Sequence, residues 1–454
     1  MTAQAQTDQA SPDEGEATAT LDEALAYALE LHQKLRLDGA EELYKRILQL
    51  VPEHPDVLHF LGVLMHQRGR DDEAIALIQR AIVLVPNHVA CHINMGNVLA
   101  ESGRLVDAAV SYRHALSLLP DQADIFNNLG VVHKLQDQWQ QADECYRRAI
   151  ELNPQHVSAY NNMGLLYAAQ GRIKEAVSYY CQSIAMMPGN PDSRRLLGIA
   201  YYTLGRIEEA AEVFRQWLEE APDHPVARHM YAACSGKDVP ARAADDYIEH
   251  TFDRFAGSFD AQLQERLAYK APEIVAEALA KALQASAAQL DILDAGCGTG
   301  LCGPLLRPFA RQLIGVDLSS GMLSKAEAKQ CYDVLEKAEL TAFIAASKDG
   351  FDAIISADTI VYFGTLDEVL QASRAALRPN GLLIFTVEKG EGKVADESLG
   401  YAINPHGRYA HTRAYLAAAL ARVDLEAGEM LEVALRSEGG EPVMGWVVTA
   451  RKPV

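Results

Sequence analysis

The sequence has no long apolar run, and it has far fewer basic than acidic residues. None of its apolar stretches reaches the roughly 20 residues that a transmembrane helix needs, and residues 1–20 lack the basic start and apolar core of a secretion signal. These absences predict a cytoplasmic location. Lys and Arg number 41 against 62 Asp and Glu, for a formal net charge of -21. Such a chain repels phosphate backbones and anionic lipid, so we expect neither nucleic acid nor a membrane as partner.

The seven cysteines lie scattered along the 454 residues, without a C-x-x-C pair or a Cys/His cluster. This distribution predicts neither a disulfide framework nor a zinc site, and we assign no metal ligands. A hydrophobic content of 49% is ordinary for a folded protein, but the chain is too long for one hydrophobic core. At least two domains are therefore expected.

Residues 19–222 repeat with a period of 34, in six copies. Proline recurs at that step from Pro52 to Pro222, glycine from Gly62 to Gly198, and alanine from Ala40 to Ala210. An aromatic residue or isoleucine follows each of these alanines by four positions. Small residues let two helices cross closely, the larger side chain fills the gap one turn later, and proline ends the unit.

This pattern resembles the tetratricopeptide repeat. The resemblance implies an all-α solenoid over 19–222, which would bind a protein or peptide on its concave face. Residues 1–18 have too few apolar side chains to fold and are predicted to be disordered. Residues 223–246 are predicted to be a capping helix and a linker.

One asparagine per repeat stands at an equivalent position, at Asn94, Asn128 and Asn162. In peptide-binding tetratricopeptide proteins a ladder of asparagines at this position clamps the peptide backbone. The alternative is that each amide satisfies a polar group of a neighbouring repeat. The ladder is interrupted at 58–59 and 194–195.

Strands and helices alternate from Leu290 onward. Four segments (290–300, 313–319, 351–358 and 382–388) read as buried parallel strands, and 429–450 reads as an antiparallel hairpin closed by Gly439 and Gly440. This order predicts an α/β Rossmann-like domain over 247–454, with a mixed seven-stranded sheet. A ligand would bind at the carboxyl ends of its strands.

The glycine-rich turn Gly296-Cys297-Gly298-Thr299-Gly300 follows the first of these strands. Taken alone it also fits a dinucleotide-binding fingerprint. Three features favour S-adenosylmethionine instead: Asp294 before the loop, where a negative charge suits the cationic methionine end; the turn at 379–381; and the antiparallel hairpin.

The domain resembles class I methyltransferases over nearly all of 247–454. It is most similar to a bacterial group of predicted methyltransferases fused to tetratricopeptide repeats, through 252–269, 356–370 and 407–416. The resemblance implies S-adenosylmethionine as methyl donor and S-adenosylhomocysteine as product. The residues that it implies for cofactor binding are Phe255, Asp294, Gly296, Cys297, Gly298, Gly300, Asp317, Leu318, Met322, Glu339, Leu340 and Ala357.

Particular roles follow from the same resemblance. Asp317 would accept hydrogen bonds from both ribose hydroxyls, Met322 would pack against adenine, and Glu339 with Leu340 would lie around the adenine amino group. Phe255 would face inward from a helical lid, 247–269. The strand before Glu339 is charged for a buried strand, which conflicts with this part of the pattern.

Methyl transfer is an in-line displacement that needs alignment more than acid–base help, so a catalytic base is not required. If a base exists, Asp358, Tyr409 and His411 are the candidates, and Tyr362 could orient the acceptor. His406 and Arg408 could bind it. Each also has a structural alternative: a helix cap, a core histidine or a local ion pair.

Three functions remain open at this point. The repeats could deliver a protein or peptide to a methyltransferase, or they could serve assembly while the enzyme methylates a small molecule. The domain could also be a non-catalytic cofactor-binding scaffold, although its intact glycine loop with Asp294 and Asp317 argues against that.

Overall fold

A computed structural model describes residues 20–256, 259–261, 269–283, 289–392, 399–438 and 441–454. Contacts between Cα atoms divide the chain into two units, 1–166 and 167–454. Among the described residues, no helix combines the length and the hydropathy that crossing a membrane requires.

Six consecutive helix pairs occupy residues 21–220 and confirm the predicted solenoid. Each pair corresponds to one 34-residue copy, and a single further helix follows at the predicted cap. The helices are α1 Leu21–Gln33, α2 Leu37–Leu50, α3 Pro55–Gln67, α4 Asp71–Leu84, α5 Val89–Glu101, α6 Leu105–Leu118, α7 Ala123–Leu135, α8 Trp139–Leu152, α9 Val157–Ala169, α10 Ile173–Met186, α11 Pro191–Thr203, α12 Ile207–Glu220 and α13 Pro225–Ser235.

The repeat glycines lie where two helices of a pair touch. An added Cβ on Gly96 would lie 2.6 Å from Cε1 of Tyr112, and Gly130 makes the same contact with Tyr146. Both tyrosines are buried. In these two copies the glycine of the first helix therefore packs directly against the aromatic residue of the second.

A sheet with flanking helices forms the rest of the chain. Its helices are α14 Asp245–Phe255, α15 Phe259–Ala261, α16 Ala271–Ala282, α17 Gly303–Leu306, α18 Ser320–Ala328, α19 Leu340–Ala346, α20 Asp367–Ala376 and α21 Arg413–Arg422. Its strands are β1 Leu290–Ala295, β2 Ala310–Asp317, β3 Val334–Lys337, β4 Phe351–Ser356, β5 Leu377–Lys389, β6 Tyr401–Ile403, β7 Tyr409–His411, β8 Glu426–Glu438 and β9 Glu441–Arg451.

Seven of these strands form the predicted mixed sheet, in the order β3-β2-β1-β4-β5-β9-β8. The first five run parallel, and β9 pairs antiparallel with both β5 and β8. The structure adds two three-residue strands, β6 and β7, of which β7 pairs with the end of β5. The predicted fold class is confirmed with this addition. The predicted closing turn, Gly439-Gly440, lies outside the described residues.

The position of β3 explains its charged sequence. It is the edge strand, pairs only with β2 among the described residues, and its side chains are mostly exposed. A strand with one free edge and a solvated surface does not need an apolar run. The conflict noted in the sequence therefore concerns burial and not the presence of the strand.

Alternate residues of the parallel strands pack on opposite faces of the sheet. Leu293 and Phe385 belong to an apolar cluster with residues of α19, α20 and α21. Ile292 and Ile384 belong to a second cluster with α16 and α17. Because both faces are covered, the strands are buried, and ligands can reach the sheet only at its ends.

The last repeats share a core with the sheet domain, since the division between units falls within α9. One apolar cluster joins Phe214 and Trp217 of α12, Met230 of α13 and Tyr247 of α14. The predicted linker is also fixed, because the Ala243 amide donates to the Tyr362 carbonyl at 2.8 Å. The predicted border at 246–247 therefore does not coincide with the division of contacts.

Candidate functional site

A first cavity lies at the carboxyl ends of β1, β2 and β4 and encloses about 960 Å³, its open mouth included. It occupies the edge of the sheet where the sequence predicted a ligand. The predicted residues that line it are Gly296, Cys297, Gly298, Asp317, Leu318, Met322, Glu339, Leu340, Ala357, Asp358 and Tyr362.

The three loop glycines have positive φ angles, and each occupies a different environment. A Cβ on Gly296 would overlap the side chain of Thr359, whereas one on Gly298 would meet open space within 4 Å. Gly300 packs against Tyr332 and is not among the residues that line the cavity. Gly298 therefore presents bare backbone to the cavity, while the other two glycines shape the loop.

Asp317 ends β2 and braces the loop. Its Oδ2 accepts from the amide of Gly298 at 2.9 Å, and its Oδ1 accepts from the amide of Ser319 at 2.9 Å. Burial raises the pKa of Asp317, and these backbone donors partly offset that rise. Since each carboxylate oxygen has a second lone pair, both can still accept a hydroxyl from the cavity side.

Asp294 does not line the cavity, contrary to the predicted contact with the methionine end. Alternate residues of a strand point to opposite faces, and Asp294 shares the face of Ile292. Its carboxylate is fully buried, and its Oδ2 accepts from the Tyr332 hydroxyl at 2.6 Å. Burial raises the pKa of Asp294 to about 7. Asp294 therefore supports the loop from outside the cavity.

Glu339 lines the cavity and also caps α19. Its two carboxylate oxygens accept from the amides of Thr341 at 3.0 Å and Ala342 at 2.7 Å. Arg242 approaches the same carboxylate at 3.8 Å. Leu340 lines the same cavity, and the contact of Glu339 and Leu340 with adenine stays a prediction.

The predicted lid is described in part, and the Phe255 side chain lies outside the described residues. Phe252, one turn earlier on α14, lines the cavity. Asp253 of the same helix accepts from the Ser319 hydroxyl at 2.5 Å, and Asp260 of α15 accepts from Lys329 at 2.7 Å. Two carboxylates thus fasten the described parts of this segment beside the loop.

A second, larger cavity of about 1650 Å³, again counting its open mouth, adjoins the first. The two share five lining residues, four of them aromatic: Phe252, Phe259, Tyr269, Asp358 and Tyr362. We call this group the aperture. The rest of the second cavity is lined by residues of α11, α12, α13 and α14 on one side, and by His406, Arg408, Arg436 and Glu438 on the other.

A buried ionic cluster underlies the aperture. Arg436 is 4% exposed and contacts three carboxylates: Asp358 at 2.7 Å, Glu438 at 2.7 Å and Glu388. Arg408 donates to Glu388 at 2.8 Å. Burial opposes ionisation of Glu388, but the surrounding cationic side chains outweigh it and lower its pKa to about 2.

The predicted catalytic and acceptor-binding residues separate into two groups. Asp358, Tyr362, His406 and Arg408 line the second cavity. Asp358 accepts from Arg436 and from the Thr386 hydroxyl at 3.1 Å, so both of its oxygens are held. Burial lowers the pKa of His406 to about 4 and raises that of Tyr362.

His411 and Tyr409 are not brought to either cavity. Both lie on β7 with no exposed surface. His411 Nε2 lies 2.9 Å from the Gly364 carbonyl, and the Tyr409 hydroxyl donates to the Pro240 carbonyl at 2.7 Å. Burial lowers the pKa of His411 to about 4. The structure therefore supports the alternative of a core histidine rather than a catalytic one.

The asparagine ladder of the repeats is engaged within the array. The Asn162 amide donates to the Asn127 side-chain oxygen at 2.9 Å, and Asn128 donates to Asn97 at 3.3 Å. Asn94 Nδ2 lies 2.8 Å from Nε2 of His59. These contacts join neighbouring repeats, as in the alternative interpretation.

Sequence reasoning missed several residues of the second cavity and its ionic cluster. Trp217 reads as a repeat core residue, and Arg436 lies in a hairpin whose pattern gives no functional signal. Glu388 offered a signal, because an acid inside the apolar strand 382–388 requires a cationic partner when buried.

Two family models match the chain. Residues 4–267 match the model described as the cilia and flagella-associated protein 70 C-terminal domain, and residues 261–428 match one described as a methyltransferase domain. The first match spans more than half of the 454 residues. The chain belongs to this repeat family, and it carries a methyltransferase domain. The predicted combination of tetratricopeptide repeats with a methyltransferase is thereby confirmed.

Several curated relatives match part of the chain. The biotin biosynthesis bifunctional protein BioHC of Saccharophagus degradans is 34% identical over 160 residues, which cover 33% of this chain and 26% of the relative. Methyltransferase-like protein 27 of Homo sapiens is 39% identical over 108 residues, which cover 23% and 44%. The malonyl-[acyl-carrier protein] O-methyltransferase of Enterobacter lignolyticus is 34% identical over 95 residues, which cover 21% and 38%. The chain thus spans less than half of each of these relatives.

Two solved structures that match part of the chain are MamA and PilW. MamA is 28% identical, with 36% of this chain and 95% of that chain covered and a TM-score of 0.33. The type IV pilus biogenesis factor PilW is 17% identical, with 47% and 98% covered and a TM-score of 0.43.

Proposed function

We propose that this protein is an S-adenosylmethionine-dependent methyltransferase whose acceptor binds in the second cavity. The observation that carries the proposal is the aperture, where a cavity floored by a glycine loop meets a second cavity. Methyl transfer requires donor and acceptor in line and shielded from water. Two adjoining cavities with a shared aromatic wall provide that arrangement.

The residues of the first cavity fit a sulfonium nucleoside. Gly298 leaves room for a ligand against its backbone, and Asp317 offers one free lone pair per carboxylate oxygen to a pair of ribose hydroxyls. Met322 is buried and lines the same cavity, where its thioether can pack on a flat base. When bound, S-adenosylmethionine would supply the electrophilic methyl group.

The chain's own residues would align the acceptor and exclude water. The aromatic residues of the aperture form an apolar collar around the transfer point. Asp358 is held by Arg436 and Thr386, so it is suited to fix the orientation of a polar acceptor. Tyr362 also lines the aperture and can donate a hydrogen bond to that acceptor.

The acceptor is a small molecule or a single side chain in this proposal. The ladder amides already donate within the array, which favours a small molecule over an extended peptide clamped by Asn94, Asn128 and Asn162. Recruitment of a protein by the concave face of the repeats is the second candidate, supported by membership of a repeat family.

Calorimetry on the full chain tests the assignment. S-adenosylhomocysteine should bind, and NAD⁺ and flavin nucleotides should not. Asp317→Ala removes a charged acceptor of two hydroxyls, so we expect affinity to fall by at least about tenfold, given about 1.5–3 kcal/mol per hydrogen bond to a charged group. Glu336→Ala on the exposed edge strand is the control and should bind normally. Binding of NAD⁺ in place of S-adenosylhomocysteine would refute the proposal.

A further inference from the structure

One wall of the second cavity is made by the end of the repeat array. Ile199 and Tyr202 come from α11, Trp217 from α12, and Val226 and Met230 from α13. We call these five residues the repeat wall. They face His406, Arg408 and Arg436 of the sheet domain across the cavity.

The sixth repeat differs from the other copies at the positions that form this wall. Trp217 stands where the four preceding copies have alanine or serine, at Ala81, Ala115, Ala149 and Ser183. Tyr202 stands where they have His66, Ala100, Lys134 and Ala168. Large aromatic side chains thus replace smaller or flexible ones in the copy that borders the cavity.

Aromatic contacts hold the wall in place. The Trp217 ring lies 4.2 Å from that of His224, and Tyr247 stacks on His229 at 3.9 Å. His229 Nε2 lies 2.8 Å from the carbonyl of Gly407, between the two polar residues of the opposite wall. The two sides of the cavity are therefore fixed to each other, as a selective pocket requires.

The charges that line the second cavity cancel. Three arginines (Arg195, Arg408 and Arg436) are matched by three carboxylates (Asp192, Asp358 and Glu438). A cavity with no formal net charge does not favour a polyanion. The five residues of the repeat wall are apolar or aromatic, Asp192 and Arg195 of α11 line the same cavity, and the carboxylate of Asp358 belongs to the aperture.

We propose that the repeat wall selects the acceptor, and that the acceptor has a flat, apolar body with a polar end. The body packs against Tyr202 and Trp217, and the polar end reaches the aperture beside Asp358. Stacking on aromatic faces favours flat rings over branched chains. The inference rests on the proposed function and makes the last repeat part of the enzyme's specificity.

Ile199→Trp fills the cavity from the repeat side, and Leu165→Trp is its matched control, 34 residues earlier at the same repeat position. Leu165 is half-buried like Ile199 but is not a lining residue. Wild type and variants are incubated with extract of the source cells and methyl-labelled S-adenosylmethionine. We expect at least about a tenfold loss of labelling for Ile199→Trp alone, since filling a pocket blocks the acceptor.

Cofactor affinity and product chemistry separate the outcomes. Ile199→Trp should bind S-adenosylhomocysteine within about twofold of wild type, because the first cavity is untouched. Tyr202→Ala, which enlarges the cavity, should change which products are labelled. Labelled small molecules should absorb ultraviolet light at wavelengths longer than those of the peptide band.

If Ile199→Trp labels as much product as the wild type, or if the label is found only in protein, the inference is overturned. Either result would leave the methyltransferase assignment intact. Absence of S-adenosylhomocysteine binding by the wild type would overturn both.

Discussion

Thr359 donates a hydrogen bond from Oγ1 to the carbonyl oxygen of Gly296 at 3.1 Å, and its side chain fills the space that a Cβ on Gly296 would need. The loop is thus locked to the residue that follows Asp358, at the boundary of the two cavities. Gly298 has a positive φ as well, but only open space beside it.

This difference predicts different effects for two alanine substitutions. Both substitutions destabilise the fold by roughly 1–2 kcal/mol, because an alanine disfavours a left-handed backbone. Gly296→Ala adds a steric overlap, so it should lower the free energy of unfolding by more than this shared cost. Gly298→Ala should lower it by the shared cost alone, but should also weaken the binding of S-adenosylhomocysteine. Urea unfolding without ligand and calorimetry with ligand measure the two effects. Equal stability of the two variants would contradict the assigned packing.

The buried carboxyl of Asp294 should make stability depend on pH. A carboxyl whose pKa rises from 3.8 to about 7 on folding stabilises the fold below pH 3.8, and this contribution disappears as pH rises to 7. Its full size is about 4 kcal/mol at 1.36 kcal/mol per pKa unit.

Asp294→Asn keeps an oxygen for the Tyr332 hydroxyl but cannot titrate. The difference in unfolding free energy between wild type and Asp294→Asn should therefore shift by several kcal/mol between pH 4 and 7.5, in favour of the variant at high pH. Urea titrations at matched pH measure it. A constant difference would mean that Asp294 is ionised throughout this range.

Arg436 should be essential to the ionic cluster. Arg436→Met leaves buried carboxylates without their cation, and breaking a buried pair in this way costs about 3–5 kcal/mol. Adding Glu388→Gln removes one of those charges and should restore part of the loss. Urea unfolding of the single and double variants measures both. Failure of the second substitution to restore stability would contradict the coupling.

The asparagine ladder should support the array more than substrate capture. Asn128→Ala with Asn162→Ala removes inter-repeat hydrogen bonds worth about 1 kcal/mol each, so the repeats should unfold at lower urea. Labelling of small molecules in cell extract should not change. Loss of labelling at unchanged stability would instead favour peptide capture by the ladder.

The sequence predicted the repeats and the glycine-rich loop because their signals are local. A 34-residue period records which residues touch within a pair, as Gly96 and Tyr112 show. The loop at 296–300 and the acid at 317 each follow a buried strand, so parallel topology alone brings them together. The two three-residue strands carried too little periodicity to be recognised.

The second cavity could not be predicted because its residues come from 191 to 438 along the chain. The sequence pattern around Trp217 is the same whether its side chain fills a core or contacts a ligand. Asp294 was misplaced because its side chain follows strand alternation, which a motif does not reveal. His411 was likewise proposed as a catalytic residue from a segment that forms a buried strand in the structure.

The position of the unit boundary within α9 has a consequence for the evolution and engineering of such arrays. Whole 34-residue modules upstream of 166 could be gained, lost or exchanged between homologous arrays while the second cavity stays intact. A chimera joined at 246–247 would instead lose one side of that cavity. Natural variation in array length should therefore concentrate toward the amino-terminal copies.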